Sequence, residues 1–173
     1  MGVLKGRLIT GSDANPIKKN TNKMSQSLVK NYVHIVFSTK QREDFIDEKI
    51  EKELFSYIAV LCKDRDSKAL QIGGTDNHIH ILCLLSKKIA LMKLVQEVKA
   101  HSSKWIKTKG KKYENFFWQD GYGAFSINEE NVYAVKNYIK NQREHHQTKS
   151  YKDELVEMLE KQKMKYDERY LWD

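Results

Sequence analysis

Hydrophobic and polar positions along this chain repeat with two periods. The run NYVHIVFSTK, Asn31 to Lys40, is dense in β-branched and aromatic side chains and predicts a strand. From Asp47 to Asp66, Ile50, Leu54, Tyr57, Ile58 and Leu61 recur at helical spacing. KALQIGG and HIHILCLLS are two further strand-like runs, and the intervening Gly73-Gly74-Thr75-Asp76-Asn77 suits a hairpin turn. Between Ala90 and Gly110, Leu91, Leu94, Val95, Val98, Ser102 and Trp105 fall on one side of a helix that Gly110 ends. FFWQDGYGAFSI, Phe116 to Ile127, reads as a strand entered through a glycine-bearing turn. Asn128 is placed to cap a helix reaching about His146, with Glu129 and Glu130 near its positive end. YKDELVEMLEKQKM predicts a last helix ahead of the aromatic tail YDERYLW. The order β-α-β-β-α-β, then two helices, predicts an α+β fold: a ferredoxin-like βαββαβ antiparallel sheet with two additional C-terminal helices. One sheet face is then free to work, or to be covered by those extra helices.

Composition refines this picture. At 173 residues, 40% hydrophobic and 31% charged, the chain is sized for one domain with a proper core. No apolar run approaches the roughly 20 residues of a membrane helix. Residues 1–23 are polar, hold the single proline, Pro16, and lack the apolar centre of a secretory signal. They are expected to be a leader or disordered extension, with residues 24–173 forming the domain. They also carry five basic side chains against Asp13, half of the net charge of +8. What remains on the domain permits a nucleic-acid partner without requiring one. Cys62 and Cys83 fall in apolar segments and are expected to be reduced core residues; there is no Cys-x-x-Cys.

Candidate chemistry begins in DNHIHILCLL. On a strand, His78 and His80 share one face about 7 Å apart, a spacing that can chelate one ion. Ile79, Ile81 and Cys83 face the other way. The spacing alone leaves open that each ring meets only a backbone or water partner. A histidine-triad site is excluded, because the third position is Leu82. In NVYAVKNYIKNQREHH, Tyr138 and Gln142 are four apart and share a helical face beside the apolar stripe Val132, Val135 and Ile139. An amide oxygen suits Mg²⁺ or Mn²⁺, and a tyrosine hydroxyl beside such an ion could attack phosphorus. A packing role for Tyr138 stays open at this point. His145 and His146, one turn beyond Gln142, are expected to be solvated or DNA-facing at a helix C-terminus.

Taken in order, His78-Ile79-His80, then GYGAFS, then Tyr138-x-x-x-Gln142 resemble the single-tyrosine HUH transposases of the insertion-sequence 200/605 family. The resemblance runs from about Leu28 to the C-terminus. It implies a bacterial or archaeal cytoplasmic, nucleoid-associated enzyme that cuts and rejoins single-stranded DNA hairpins at transposon ends. It further implies that His78, His80 and Gln142 bind Mg²⁺ or Mn²⁺. Tyr138 would be the nucleophile, forming a 5′-phosphotyrosine and releasing a 3′-hydroxyl. Two copies would form a homodimer in which the tyrosine helix of one completes the histidine site of the other.

Basic side chains are compatible with such a substrate. Lys99, Lys104, Lys107, Lys109, Lys111 and Lys112 cluster around the second helix and its exit, and Lys136, Lys140 and Arg143 border the tyrosine. Of these, Lys104, Lys107, Lys111, Lys136, Lys140 and Arg143 are the candidate DNA contacts. Phe116, Phe117, Trp118 and Tyr122 could stack unpaired bases. For all of them a solvated face or a core position stays open. Three other functions compete: a domesticated relative processing chromosomal palindromes, a non-catalytic single-strand nucleic-acid-binding module, and a small metallohydrolase that uses water as nucleophile.

Overall fold

A computed structural model describes residues 27–172, so the expected leader lies outside the described residues. The elements β1 (Tyr32–Ser38), α1 (Glu48–Lys63), β2 (Lys68–Gly74), β3 (His78–Leu84), α2 (Leu91–Lys107) and β4 (Gly123–Ile127) follow in the predicted order. Their strands make one antiparallel sheet, β2-β3-β1-β4, which is the ferredoxin-like arrangement. Alternation sends Val33, Ile35 and Phe37 of β1 and Ile79, Ile81 and Cys83 of β3 to one face. There Ile50, Leu54 and Ile58 of α1 and Leu94, Val95 and Val98 of α2 cover them. Burying each such side chain fully contributes about 1.5–3 kcal/mol. Cys62 and Cys83 are free and buried in this core. At the start of α1, the Asp47 carboxylate accepts from the backbone N–H groups of Lys49 and Ile50.

The hairpin glycines lie in β2 and not in the turn. Gly73 pairs with His80 and Gly74 with Ile79, leaving Thr75–Asn77 to reverse the chain. The reason is a close approach: a Cβ on Gly73 would lie 2.1 Å from the Ile139 carbonyl oxygen. Without a side chain there, α3 (Val132–Lys140) can lie directly against β2.

The helix expected from Asn128 to about His146 is divided. A 3₁₀ turn over Glu129–Asn131 precedes α3, and α4 (Gln142–His145) follows it. Between them Asn141, at φ −100° and ψ 21°, departs from helical geometry. Asn128 makes no side-chain cap bond; its carbonyl accepts from the Asn131 N–H at 3.0 Å, closing the inserted turn. α5 (Tyr151–Lys161) is capped by Ser150, whose hydroxyl accepts from the Asp153 N–H, and α6 (Glu168–Leu171) lies in the aromatic tail. Over this second sheet face, Leu155 and Leu159 pack with Val36 and Phe125 in a smaller apolar cluster.

Candidate active site

Strand register sets out the site on the face away from the main core. β1 places Ser38 opposite His78, Val36 opposite His80 and His34 opposite Leu82, so His34, His78 and His80 share that face. His78 and His80 are both 0% exposed. Their inner nitrogens are held by neighbours. His78 Nδ1 lies 2.9 Å from Asn77 Oδ1, while Asn77 Nδ2 donates to Asp44 Oδ1 at 2.9 Å. An amide anchored in this way offers the ring only its oxygen. His78 Nδ1 therefore carries the proton, and Nε2 turns a lone pair into the site. His80 Nδ1 meets His34 Nε2 at 2.9 Å. Burial, then the neighbouring His80, lowers the His34 pKa to about 3, so His34 is neutral. Burial likewise holds His78 well below the ordinary histidine range.

α3 and α4 bring Tyr138 and Gln142 over these rings. Gln142 is buried, with Oε1 3.4 Å from His78 Nε2. The Tyr138 ring stands edge-on to His80, 6.0 Å between centroids. Glu154 of α5 then enters between the helix and the histidines. Tyr138 Oη and Gln142 Nε2 both donate to its Oε1, the amide at 2.8 Å. Its Oε2 accepts from His146 Nε2 at 3.1 Å and faces His80 Nε2 at 3.3 Å and His78 Nε2 at 3.6 Å. Burial pushes the Glu154 carboxyl up, but His146, the facing His80 ring and the Tyr138 hydroxyl outweigh it and hold the group below the ordinary carboxylate range. Burial and the same carboxylate raise the Tyr138 hydroxyl.

His78, His80, His146 and Glu154 offer ligand atoms that all lie within 4.8 Å of one another. His80 Nε2 is buried without a hydrogen-bond partner among the described residues. Among the described residues, the ion-pair partners of the buried Glu154 are all histidines. An unsatisfied imidazole nitrogen facing a carboxylate and an amide oxygen is a donor set that a divalent cation would complete.

The structure thus collects His78, His80, Tyr138 and Gln142 at one point. His146, expected to be solvated or DNA-facing, is not solvated: its side chain is 10% exposed, its ring centroid is 4.5 Å from that of His78, and it borders the groove beside the site. The chain turns back after α4 and lays α5 over it. His145 is half-buried against Tyr138, 5.2 Å between ring centroids. Glu154 and His34 are the residues that sequence reasoning missed. Glu154 carried a signal, because it stands inside the apolar stripe Tyr151, Leu155, Met158 and Leu159 of its own helix. His34 stands in a strand whose neighbouring positions, Val33, Ile35 and Val36, are apolar.

Among the candidate DNA contacts, Lys104, Lys111 and Lys140 are exposed and Lys136 is half-buried. Lys107 lies over the Phe117 ring, 3.4 Å from its centroid. Arg143 ties α4 to the rest of the domain, Nε to Glu51 Oε2 at 2.8 Å and Nη1 to Asp76 Oδ1 at 3.0 Å. Phe116 and Trp118 are core residues, whereas Phe117 and Tyr122 are exposed. Lys99 donates to the carbonyls of Gln119 and Gly121 at 2.6 Å each, and burial lowers its pKa to about 8. A groove of about 500 Å³ opens beside the site, bordered by Arg42, Asn77, Arg143, His146, Lys149 and Lys152.

Fold and site together define a ferredoxin-like α+β protein that sets a paired-histidine strand against a tyrosine helix. Over residues 27–142 the chain matches the family described as "Transposase IS200 like", and it belongs to that family of DNA-processing proteins. Its fold is similar to that of a crystallised candidate transposase from Deinococcus radiodurans R1, at a TM-score of 0.55 and 16% identity, over 69% of this chain and 96% of the other. A REP-associated tyrosine transposase bound to a REP hairpin is also similar, at a TM-score of 0.54 and 16% identity, over 70% of this chain and 72% of the other. At these identities the likeness concerns the fold. A comparison with curated proteins gives no match. Among the described residues no helix is long and apolar enough to cross a membrane.

Proposed function

We propose that this protein cuts and rejoins single-stranded DNA at hairpin-bearing transposon ends through a 5′-phosphotyrosine on Tyr138. In this reading His78, His80 and Gln142 hold Mg²⁺ or Mn²⁺. The observation that carries it is the convergence of the Tyr138 hydroxyl, two buried histidine nitrogens and the Gln142 amide on one point. The donor set fits a cation, since among the described residues His80 Nε2 is unsatisfied and the nearby carboxylate has no permanent positive partner in its ion pairs. When bound, the ion would supply Lewis-acid polarisation of a phosphate oxygen.

The chain's own residues carry the bond changes. Tyr138 Oη attacks phosphorus, and its bond to phosphorus forms as the P–O3′ bond breaks. The tyrosine proton ends on the released 3′ oxygen. A later attack by a 3′-hydroxyl on the phosphotyrosine reverses these changes and rejoins DNA without a nucleotide cofactor. Arg42, Lys149 and Lys152 of the groove, with Lys104, Lys107, Lys111, Lys136 and Lys140, supply charge for the phosphates. Arg143 shares that groove while holding α4 through Glu51 and Asp76. A hairpin substrate accords with the similar transposase bound to a REP hairpin. The Tyr138 hydroxyl donates to Glu154 and its ring stands over His80 of the same chain, so we place the reaction in cis, and a homodimer would not have to exchange tyrosines.

The test is incubation with Mn²⁺ or Mg²⁺ and a single-stranded hairpin DNA, followed by a denaturing gel. A covalent adduct is expected from the wild type and none from Tyr138→Phe. An adduct missing from the wild type, or unchanged in Tyr138→Phe, overturns the nucleophile assignment. Cleavage that persists without adduct in Tyr138→Phe instead supports a metallohydrolase.

A further inference from the structure

The matched family segment ends at residue 142, and the residue that closes the site comes twelve positions later, in α5. Glu154 is 2% exposed, and the two oxygens of its carboxylate do different things. Oε1 accepts from both Tyr138 Oη and Gln142 Nε2, while Oε2 faces His78 Nε2, His80 Nε2 and His146 Nε2. We infer that Glu154 is a further ligand of the divalent cation through Oε2 and positions the Tyr138 hydroxyl through Oε1, so that α5 is part of the catalytic centre.

This inference rests on the metal-centre reading above, and four observations carry it further than that reading. First, Glu154 is buried, at a position of α5 that the sequence flanks with the apolar-stripe residues Tyr151, Leu155 and Met158. A buried carboxylate is costly without a counter-charge, and among the described residues its ion-pair partners are imidazoles, with no lysine or arginine. Second, His80 Nε2 faces Oε2 at 3.3 Å yet makes no hydrogen bond. An imidazole nitrogen set against a carboxylate oxygen with no hydrogen bond between them is a spacing that two ligands of one cation take. Third, Asn77 holds His78 in the tautomer whose Nε2 is a lone pair, and that nitrogen is 3.6 Å from Oε2 and 3.4 Å from Gln142 Oε1. Two nitrogens, an amide oxygen and a carboxylate oxygen then surround one point. That mixed set suits Mn²⁺ or Mg²⁺. Fourth, His146 Nε2 donates to Oε2 at 3.1 Å and so orients the carboxylate, as outer partners of metal ligands do.

A carboxylate bridging cation and nucleophile couples the two: occupancy of the cation site fixes the oxygen that aims Tyr138 Oη. No step here requires a group beyond the chain, the ion and the DNA already named.

Mn²⁺ titration of the full chain by calorimetry, with no DNA present, tests the assignment. Wild type is expected to bind, and His80→Ala to lose binding. Glu154→Gln, which keeps the shape and removes the charge, should weaken binding on the order of 10- to 100-fold or more, the loss seen even for outer partners of metal ligands. The rise in Tm that Mn²⁺ produces in the wild type should shrink in the same variant. Glu154→Asp serves if Glu154→Gln fails to fold: it keeps the charge but draws it back, and it should also weaken binding. Affinity in the folded Glu154 variant within about threefold of wild type, or tighter, overturns the assignment of Glu154 and leaves the histidine site standing. Absence of Mn²⁺ binding in the wild type, or full binding by His80→Ala, overturns the metal-centre reading itself.

Discussion

The two partners of its inner nitrogen, the Asn77 amide and the Thr75 hydroxyl, each at 2.9 Å, decide how His78 can act. Asn77 is turned by Asp44 so that its oxygen meets His78 Nδ1, and this leaves the ring's other nitrogen as a lone pair toward Gln142 and Glu154. His34 does the corresponding work for His80, as a neutral buried ring 2.9 Å from its Nδ1. Replacing His34 with Phe keeps the volume and strands that nitrogen. The loss of stability should be about 1–3 kcal/mol in urea unfolding. Mn²⁺ affinity should fall on the order of 10- to 100-fold in a titration. Unchanged affinity in His34→Phe would show that the inner contact does not orient His80. At this scale the sequence disclosed His78 and His80 through their spacing, and Tyr138 and Gln142 through theirs. It did not disclose His34, because one histidine in an apolar strand has no partner until the strand register pairs Val36 with His80.

Elements place these residues through their ends and approaches. Gly73 lets the backbone of α3 press onto β2, and the break at Asn141 starts a new helix at Gln142. Continuous 3.6-residue periodicity through NVYAVKNYIKNQREHH hid that break. It still put Tyr138 and Gln142 on one side, which is why the pair was legible although the helix boundary was not. On the opposite face, α1 begins at Asp47, whose carboxylate caps two backbone N–H groups and pairs with Lys112 Nζ at 2.6 Å. Lys112 is the main reason its pKa lies at about 2; burial opposes it, and the Ile50 N–H and the Tyr113 hydroxyl add to the lowering. A carboxyl whose folded pKa is depressed stabilises the fold above its unfolded pKa, and that contribution fades as pH falls through the folded value. Asp47→Ala should therefore cost about 1 kcal/mol at neutral pH. The gap between variant and wild type should narrow as pH drops from about 5 toward about 2. Urea midpoints across that range check it, and a gap independent of pH would contradict the pairing.

The whole molecule uses the two faces of one sheet for different ends. One face is sealed by α1 and α2 and is the main core; the other is covered by α3, α4 and α5 around the polar site. Because Tyr138 reaches the histidines of its own chain, mixing two inactive variants, Tyr138→Phe and His80→Ala, should restore no adduct on hairpin DNA. Recovery of a substantial part of wild-type activity would instead reveal exchange of tyrosine helices between copies, the arrangement that the family resemblance implied. The sequence by itself determined the order of strands and helices, the paired histidines on one strand face, and the tyrosine with its amide one turn on. These rest on periods of two and 3.6 residues that neighbouring positions reveal. Only the tertiary structure decided that α5 folds back, that His146 and Glu154 enter the site, and that Phe116 and Trp118 are core residues. The first two depend on contacts such as Leu155 and Leu159 against Val36 and Phe125, and the last on Trp118 against Phe37 and Phe116 against Phe45, all between segments far apart in the chain. Local periodicity gives a helix its apolar side, but which distant surface that side meets is settled by packing the whole domain.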